Sequence, residues 1–464
     1  AQVAERAAAV GGRVPEDPDL LEEVTNLVEQ PTAFLGHFEE EYLRLPTEVL
    51  VAVMKKHQRY FPVLDGDGRL RPYFVAVRNG GEEHLDVVRQ GNEAVLRARF
   101  ADADYFYRED TARPLESFLP RLATLTFQEQ LGSMLDKARR LEELVPEVAR
   151  MLGLTEEETA IARRAAHLCK ADLATQMVVE FTSLQGVMGR EYALKSGESP
   201  EVARAIFEHY LPRFAGDALP ETLPGLALGL ADRLDSLAGL FAVGLVPSGS
   251  ADPYGLRRDA LGMVQALIGA RRFFSVRAGL EAAARLLPVR ADPAALEAAR
   301  EFFTGRLRVY LREQGFRHDA VEAVLAARGD DPYRALLAVE ALSRWTARDD
   351  WPRILDNYAR CVRITRDFPE QFPLDPSRFV HPIEQELYDA WQKARQQVRP
   401  DSSVDDFFTA FLPLVDVIDR FFARETGVMV MAEDRALREN RLALLQHIVA
   451  LADGIVDLRR MEGF

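Results

Sequence analysis

From about Pro114 onward, apolar residues recur at three- and four-residue spacing almost to the C-terminus, which predicts a succession of amphipathic helices broken at glycine and proline. The β-prone signal is confined to the first quarter. There YFPVLDGDGRLRPYFVAVRN (60–79) carries two such runs around Asp65-Gly66-Asp67-Gly68, and this pattern predicts a hairpin. Upstream, a helix is expected through LLEEVTNLVEQ, then Pro31 and a short aromatic stretch, and a second helix opening at Pro46-Thr47-Glu48. Loops fall near 211–225, 246–253, 289–293 and 366–382, and in SADPYGLRRDALG Asp252 is placed as a helix cap with Pro253 in the first turn. The expected fold class is mainly α, with an α/β N-terminal module (1–115) followed by two helical domains (116–290 and 291–464). There is no internal repeat and no low-complexity tract.

Composition narrows the picture. A chain of 464 residues with 48% hydrophobic residues holds enough apolar material for about three domains of roughly 150 residues. It opens on Ala1 without a basic and then apolar leader, so the chain reads as part of a longer protein with no secretory signal. The most apolar region, 223–247, is interrupted by Asp232, Arg233 and Asp235, which excludes a lipid-facing span. Cys169 and Cys361 are the only cysteines and lack ligand spacing, so neither a disulfide framework nor a zinc site is expected, and a cytoplasmic protein fits. The formal charge of −15 argues against DNA or indiscriminate nucleic-acid binding and confines any RNA contact to a local patch. Asp65-Gly66-Asp67-Gly68 does not make a calcium loop, because Arg69 and Ala76 stand where the fifth and twelfth ligand positions fall.

The stretch LCKADLATQM places Asp172 inside an apolar helical pattern, where burial is costly unless something pairs with it. Downstream, LALGLADRLDSLAGL (226–240) resembles the last metal-binding segment of HD-domain phosphohydrolases, with Asp232 at the ligand position. Such enzymes need two histidine positions as well, so that imidazoles and carboxylates together hold a metal that activates water. Here the His-Asp pair reads Ala171-Asp172, and the first histidine position, in GSMLDKARRLEELV, offers Lys137. His167 stands about 140° away from Asp172 around a helix and does not substitute. Lys137, Asp172 and Asp232 are therefore expected to be degenerate positions of an HD-like scaffold that holds no metal. An active HD-type metal-dependent phosphohydrolase remains the alternative.

Several strings, in order, carry a closer resemblance: GNEAVLRARFADADYFYRED (91–110), TFQEQLGSMLDKARRL (126–141), KADLATQMVVEFTSLQGVMGREYA (170–193), YLPRFAGDALP (210–220) and PSGSADPYGLRRDALG (247–262). They resemble the β subunit of bacterial heterotetrameric glycyl-tRNA synthetase, which has a further N-terminal region. The C-terminal VMVMAEDRALRENRLALLQHIVALADGIVDL (428–458) is similar to the end of the anticodon-binding domain of that subunit and of arginyl-type synthetases. The resemblance implies that residues 1–115 end an upstream domain, 116–290 form a degenerate HD-like helical domain, and 291–464 end in an anticodon-binding fold. It also implies a subunit that binds tRNA(Gly) and assembles with a separate α subunit, on which ATP, magnesium and glycine are handled, leaving no cofactor and no complete active site on this chain. Consistent with that division, the sequence holds no GxxxxGK[ST], GxSxG or HExxH motif.

Within the C-terminal string, Leu437, Leu444, Leu445, Ile448 and Leu451 define an apolar helix face. Arg441 projects into that face and is expected to pair with an acid such as Asp434 or Asp416, whereas Arg435 and Arg438 lie nearer its edge. Under the resemblance, Arg435, Arg438, Asn440 and Arg441 are the tRNA-binding candidates, since arginine forks read phosphates and unstacked bases. Tyr60, Phe61, Tyr105, Phe106 and Tyr107 read as core or interface residues rather than stacking platforms.

Overall fold

The computed structural model describes residues 1–425 and 427–464, with every side chain except that of His57. The fold is mainly helical with two small antiparallel sheets, as the periodicity predicts. The chain forms two compact units, one of residues 1–211 and 220–232, the other of 212–219 and 233–464. Among the described residues no helix is long and apolar enough to cross a membrane.

In the first unit the predicted hairpin is present as β2 (Phe61–Leu64) and β3 (Leu70–Asn79), once β1 (Pro31–His37) is placed on the other side of β3 to give the order β1-β3-β2. β1 is the short aromatic stretch after Pro31, whose sequence PTAFLGH shows no apolar–polar alternation to announce a strand. Between the hairpin strands the Asp65 carboxylate accepts from the Asp67 and Arg69 amides, so the acidic turn satisfies its own backbone. One sheet face buries Ala33, Phe61, Val63 and Val75 against Ala7, Leu20 and Val24 of the preceding helices. On the other, Phe74 stacks on Tyr60 with ring centroids 4.6 Å apart. Gly36 opposes Phe74 in the ladder, and a Cβ there would come within 2.2 Å of the Phe74 ring, so only glycine fits.

Hydrogen bonds cross the division expected at residue 115. The long Leu85–Thr111 helix ends with Asp110, which is 2% exposed, and its carboxylate accepts from the amides of Gln176 and Met177 and from the Tyr192 hydroxyl. That acid caps a helix some 66 residues further on and ties the α/β module into the helical segment. Next, the Met134–Leu152 and Glu156–Leu168 helices begin with capping boxes, Ser133 with Asp136 and Thr155 with Glu158, and turn between them at Gly153 with φ of 74°.

The second unit is helical, and hydrogen bonds cross the boundary expected at 290. The Asp330 carboxylate accepts from Ser275 Oγ and the Arg277 amide, while the Asp330 carbonyl accepts from the Val276 amide, so the start of the Val276–Ala284 helix is fixed by a residue beyond that boundary. Its core gathers Trp345, Trp351, Tyr358, Phe407, Phe408 and Phe411. Asp252 does cap, accepting from the Leu256 and Arg257 amides, but the helix runs Leu256–Gly269, so Pro253 lies in the turn before it rather than in its first turn.

Candidate functional site

Two constellations carry the residues singled out in the sequence. The first is buried in the first unit. Lys137 sits on the inner face of the Met134–Leu152 helix, Lys170 just after the Glu156–Leu168 helix, His209 after the Pro200–Glu208 helix and Asp232 on the Leu223–Ala242 helix. Lys137 Nζ lies 3.0 Å from Asp232 Oδ1, and Lys170 Nζ lies 2.7 Å from Oδ2. His209 completes the group: Lys170 Nζ is 2.9 Å from its Nε2, and its Nδ1 is 2.5 Å from the Ile206 carbonyl, a tautomer in which Nδ1–H donates and Nε2 accepts. The Tyr210 and Phe127 rings cover the Lys170 and Lys137 ammoniums, each at 4.5 Å.

Burial pushes the Asp232 carboxyl up, but the Lys137 and Lys170 ammoniums beside it hold it well below the usual carboxylate range. This donor set does not fit a divalent metal: two ammoniums, each 3% exposed, stand where cation ligands would be required. The HD-type hydrolase chemistry therefore has no ligand set to run on. Lys170 and His209 were not singled out in the sequence, although Lys170 lies only two residues before Asp172.

Asp172 has a different task. It lies in a short 3-10 turn, fully buried, and its Oδ2 accepts from the Gly186 and Gly189 amides at 2.6 and 3.1 Å, capping the Val187–Lys195 helix. Both glycines are required. Gly186 has φ of 78°, and a Cβ on Gly189 would come within 2.7 Å of the Ile206 side chain. Burial pushes the Asp172 carboxyl up to about 6, opposed by the Gly186 amide and Lys170. A raised folded-state value means that the stability this group contributes is complete below its unfolded value near 4 and lost as pH rises through about 6. The stability of the native chain relative to Asp172→Asn should therefore fall by about 2 kcal/mol between pH 4.5 and 7, read by denaturant titration at each pH. A difference independent of pH would show that Asp172 is ionised throughout.

The second constellation surrounds the Arg435–Val449 helix of the second unit, capped by Asp434, whose carboxylate accepts from the Leu437 amide. Arg441 is 7% exposed and makes the expected ion pair, but with a different acid: its Nε lies 2.7 Å from Glu384 Oε1, and Nη1 donates to the Met429 carbonyl. Asp434 is engaged in capping, and Asp416 pairs with Arg353. Glu384, 0% exposed, also accepts from the Val380 and His381 amides, so the acid that neutralises Arg441 starts the Pro382–Gln397 helix. Asn440 is buried too. It grips the backbone of Asp375, accepting from its amide at 2.7 Å and donating to its carbonyl at 3.1 Å. Arg438 is half-buried and donates to the Ala432 carbonyl. Only Arg435, its side chain 81% exposed and paired with Glu439 one turn on, presents its guanidinium to solvent. Of the four arginine and asparagine candidates, two therefore hold the fold and two stand at or near the surface.

The comparisons with known proteins agree with one another. The sequence profile of a family described as Glycyl-tRNA synthetase beta subunit matches residues 1–326. The chain is similar to the Glycine–tRNA ligase beta subunits of Moorella thermoacetica (43% identical) and Desulforudis audaxviator (45% identical), in each case over 99% of this chain and 67% of the relative. It is also 40% identical to Glycine–tRNA ligase, chloroplastic/mitochondrial 2, of Arabidopsis thaliana, over 99% of this chain and 43% of that protein. With more than half of the chain matched by the family profile and identity sustained over nearly its whole length, the chain belongs to the glycyl-tRNA synthetase beta subunit family.

Proposed function

We propose that this chain serves as the tRNA-binding and assembly part of glycyl-tRNA synthetase, supporting the ATP-dependent ligation of glycine to tRNA(Gly) on a separate α subunit in the cytoplasm. The observation that carries this reading is family membership over nearly the whole chain. A second supports the absence of chemistry: the group most like a catalytic centre is an aspartate held between two lysines. ATP and magnesium belong, on this reading, to the α subunit. The helical domain ending in 428–458 acts as the anticodon-binding fold, and its RNA contacts come from few cations, because the chain as a whole carries a charge of −15.

Two measurements on the purified chain test it. Without α, glycine-dependent pyrophosphate exchange should be absent, and exchange by this chain alone would overturn the division of labour. In the same preparation tRNA(Gly) should bind with a salt-dependent affinity, and Arg435→Ala and Arg438→Ala should each reduce the slope of log K against log salt by about one unit. Unchanged slopes in both variants would remove this helix from the RNA interface.

A further inference from the structure

On the second unit a cleft of about 320 Å³ opens between the Pro332–Thr346 helix and the start of the Val404–Phe421 helix. Arg328 lies at its base, 6% exposed, and among the described residues no carboxylate lies within ion-pair distance of it. Its Nε donates to the Gly454 carbonyl at 3.1 Å and its Nη2 to the carbonyls of Ser402 and Pro400, but among the described residues Nη1 finds no acceptor. Burial and the neighbouring Arg334 charge lower the affinity of this guanidinium for its proton, opposed by the Asp331 and Asp401 charges.

Above it, the Arg334 guanidinium lies over the Phe273 ring at 4.9 Å, and Phe273 in turn contacts Tyr333 at 5.3 Å. Phe273 is 49% exposed and Leu337 40%, so the cleft offers an open aromatic and apolar wall beside two arginines. Of the acids near it, Asp405 is already engaged by Arg344 and the Trp345 indole, and Asp331 caps the helix by accepting from the Arg334 amide while its carboxylate lies 3.6 Å from the Arg334 Nε, whose Nη1 donates to the Asp401 carbonyl. Asp401 and Glu340 also line the cleft, which disfavours a bare polyanion but suits a ligand with amino groups to donate.

We infer that this cleft binds a single phosphorylated nucleoside unit, its phosphate held by Arg328 and Arg334 and its base laid against Phe273 and Leu337. Arginine forks match phosphate oxygens, and bases stack on aromatic faces whatever their identity. The volume suits one such unit. The unit can come from a single-stranded segment of RNA or from a free nucleotide, and in its RNA form the inference rests on the function proposed above.

Equilibrium binding of the full chain to tRNA(Gly) and to adenosine 5′-monophosphate separates these sources, using Phe273→Ala and Arg334→Gln. Both residues are solvent-accessible, and tryptophan fluorescence checks that each variant keeps its fold, since all three tryptophans lie in this unit. Each variant is expected to weaken, on the order of tenfold, whichever probe the native chain binds. Weakening of tRNA alone assigns the cleft to a strand of RNA, and weakening of the mononucleotide alone assigns it to a free nucleotide. A native chain that binds the mononucleotide in a Phe273-dependent way but not tRNA(Gly) would sink the proposed function and leave the cleft standing. Binding of tRNA(Gly) indifferent to both variants, with the mononucleotide unbound or equally indifferent, would overturn the cleft and leave the proposed function standing. If neither probe binds, both fall.

Discussion

Asp232→Ala should destabilise the first unit by about 3–5 kcal/mol, because it leaves the Lys137 and Lys170 ammoniums buried without their shared carboxylate. The loss should be local in its first appearance. All three tryptophans lie in the second unit, so their fluorescence reports that unit, while amide exchange in peptides from 134–152 and 200–211 reports the first. Faster exchange in those peptides, at a denaturant concentration where the tryptophan signal has not moved, is the expected result. Asp232→Asn should cost less than the alanine change, since an amide oxygen still accepts from one ammonium. Unchanged exchange in both variants would mean that the lysines are solvated and that the cluster contributes nothing to the fold.

Arg441→Ala should cost the second unit a similar amount, about 3–5 kcal/mol, by stranding the carboxylate of Glu384 in a site with no exposure. Here tryptophan fluorescence is the direct readout, because the Trp391 indole donates to the His447 carbonyl on the same helix as Arg441. Adding Glu384→Gln should restore part of the loss: the amide carries no charge to strand and can still accept from the Val380 and His381 amides. Any fall in tRNA affinity should then track stability across the single and double variants. A stable Arg441→Ala protein with sharply weakened tRNA binding would instead make Arg441 a recognition residue.

These two residues also show what a linear reading can reach. That Arg441 needed an acid followed from one charged group on an apolar stripe, a local fact. Which acid could not follow, because Glu384 lies 57 positions away and is brought in by helix packing, whereas the nearer Asp434 is taken up by capping. Likewise Lys137 was legible as the wrong residue for a metal ligand, but Lys170 and His209 reach Asp232 from 62 and 23 positions away, and no spacing rule covers contacts of that kind. The helices and the hairpin were visible because their periodicity is local. β1 was not, since its seven residues are fixed as a strand only by pairing with β3. Contacts across the expected borders were hidden for the same reason: Asp110 and Asp330 carry no mark in the sequence to distinguish them from surface acids, yet each fixes a helix start on the far side of one.

The arrangement around Asp232 bears on how this scaffold could change. A divalent cation would have to displace two fixed positive charges held within 3.0 Å of the same carboxylate. Exchanging either lysine alone for histidine supplies one ligand but leaves the other ammonium in competition with the metal, so neither single step is rewarded. The intermediate also gives up part of a buried charge balance that holds the unit together. Metal binding at this position would therefore require both lysines to change together, which no single substitution provides.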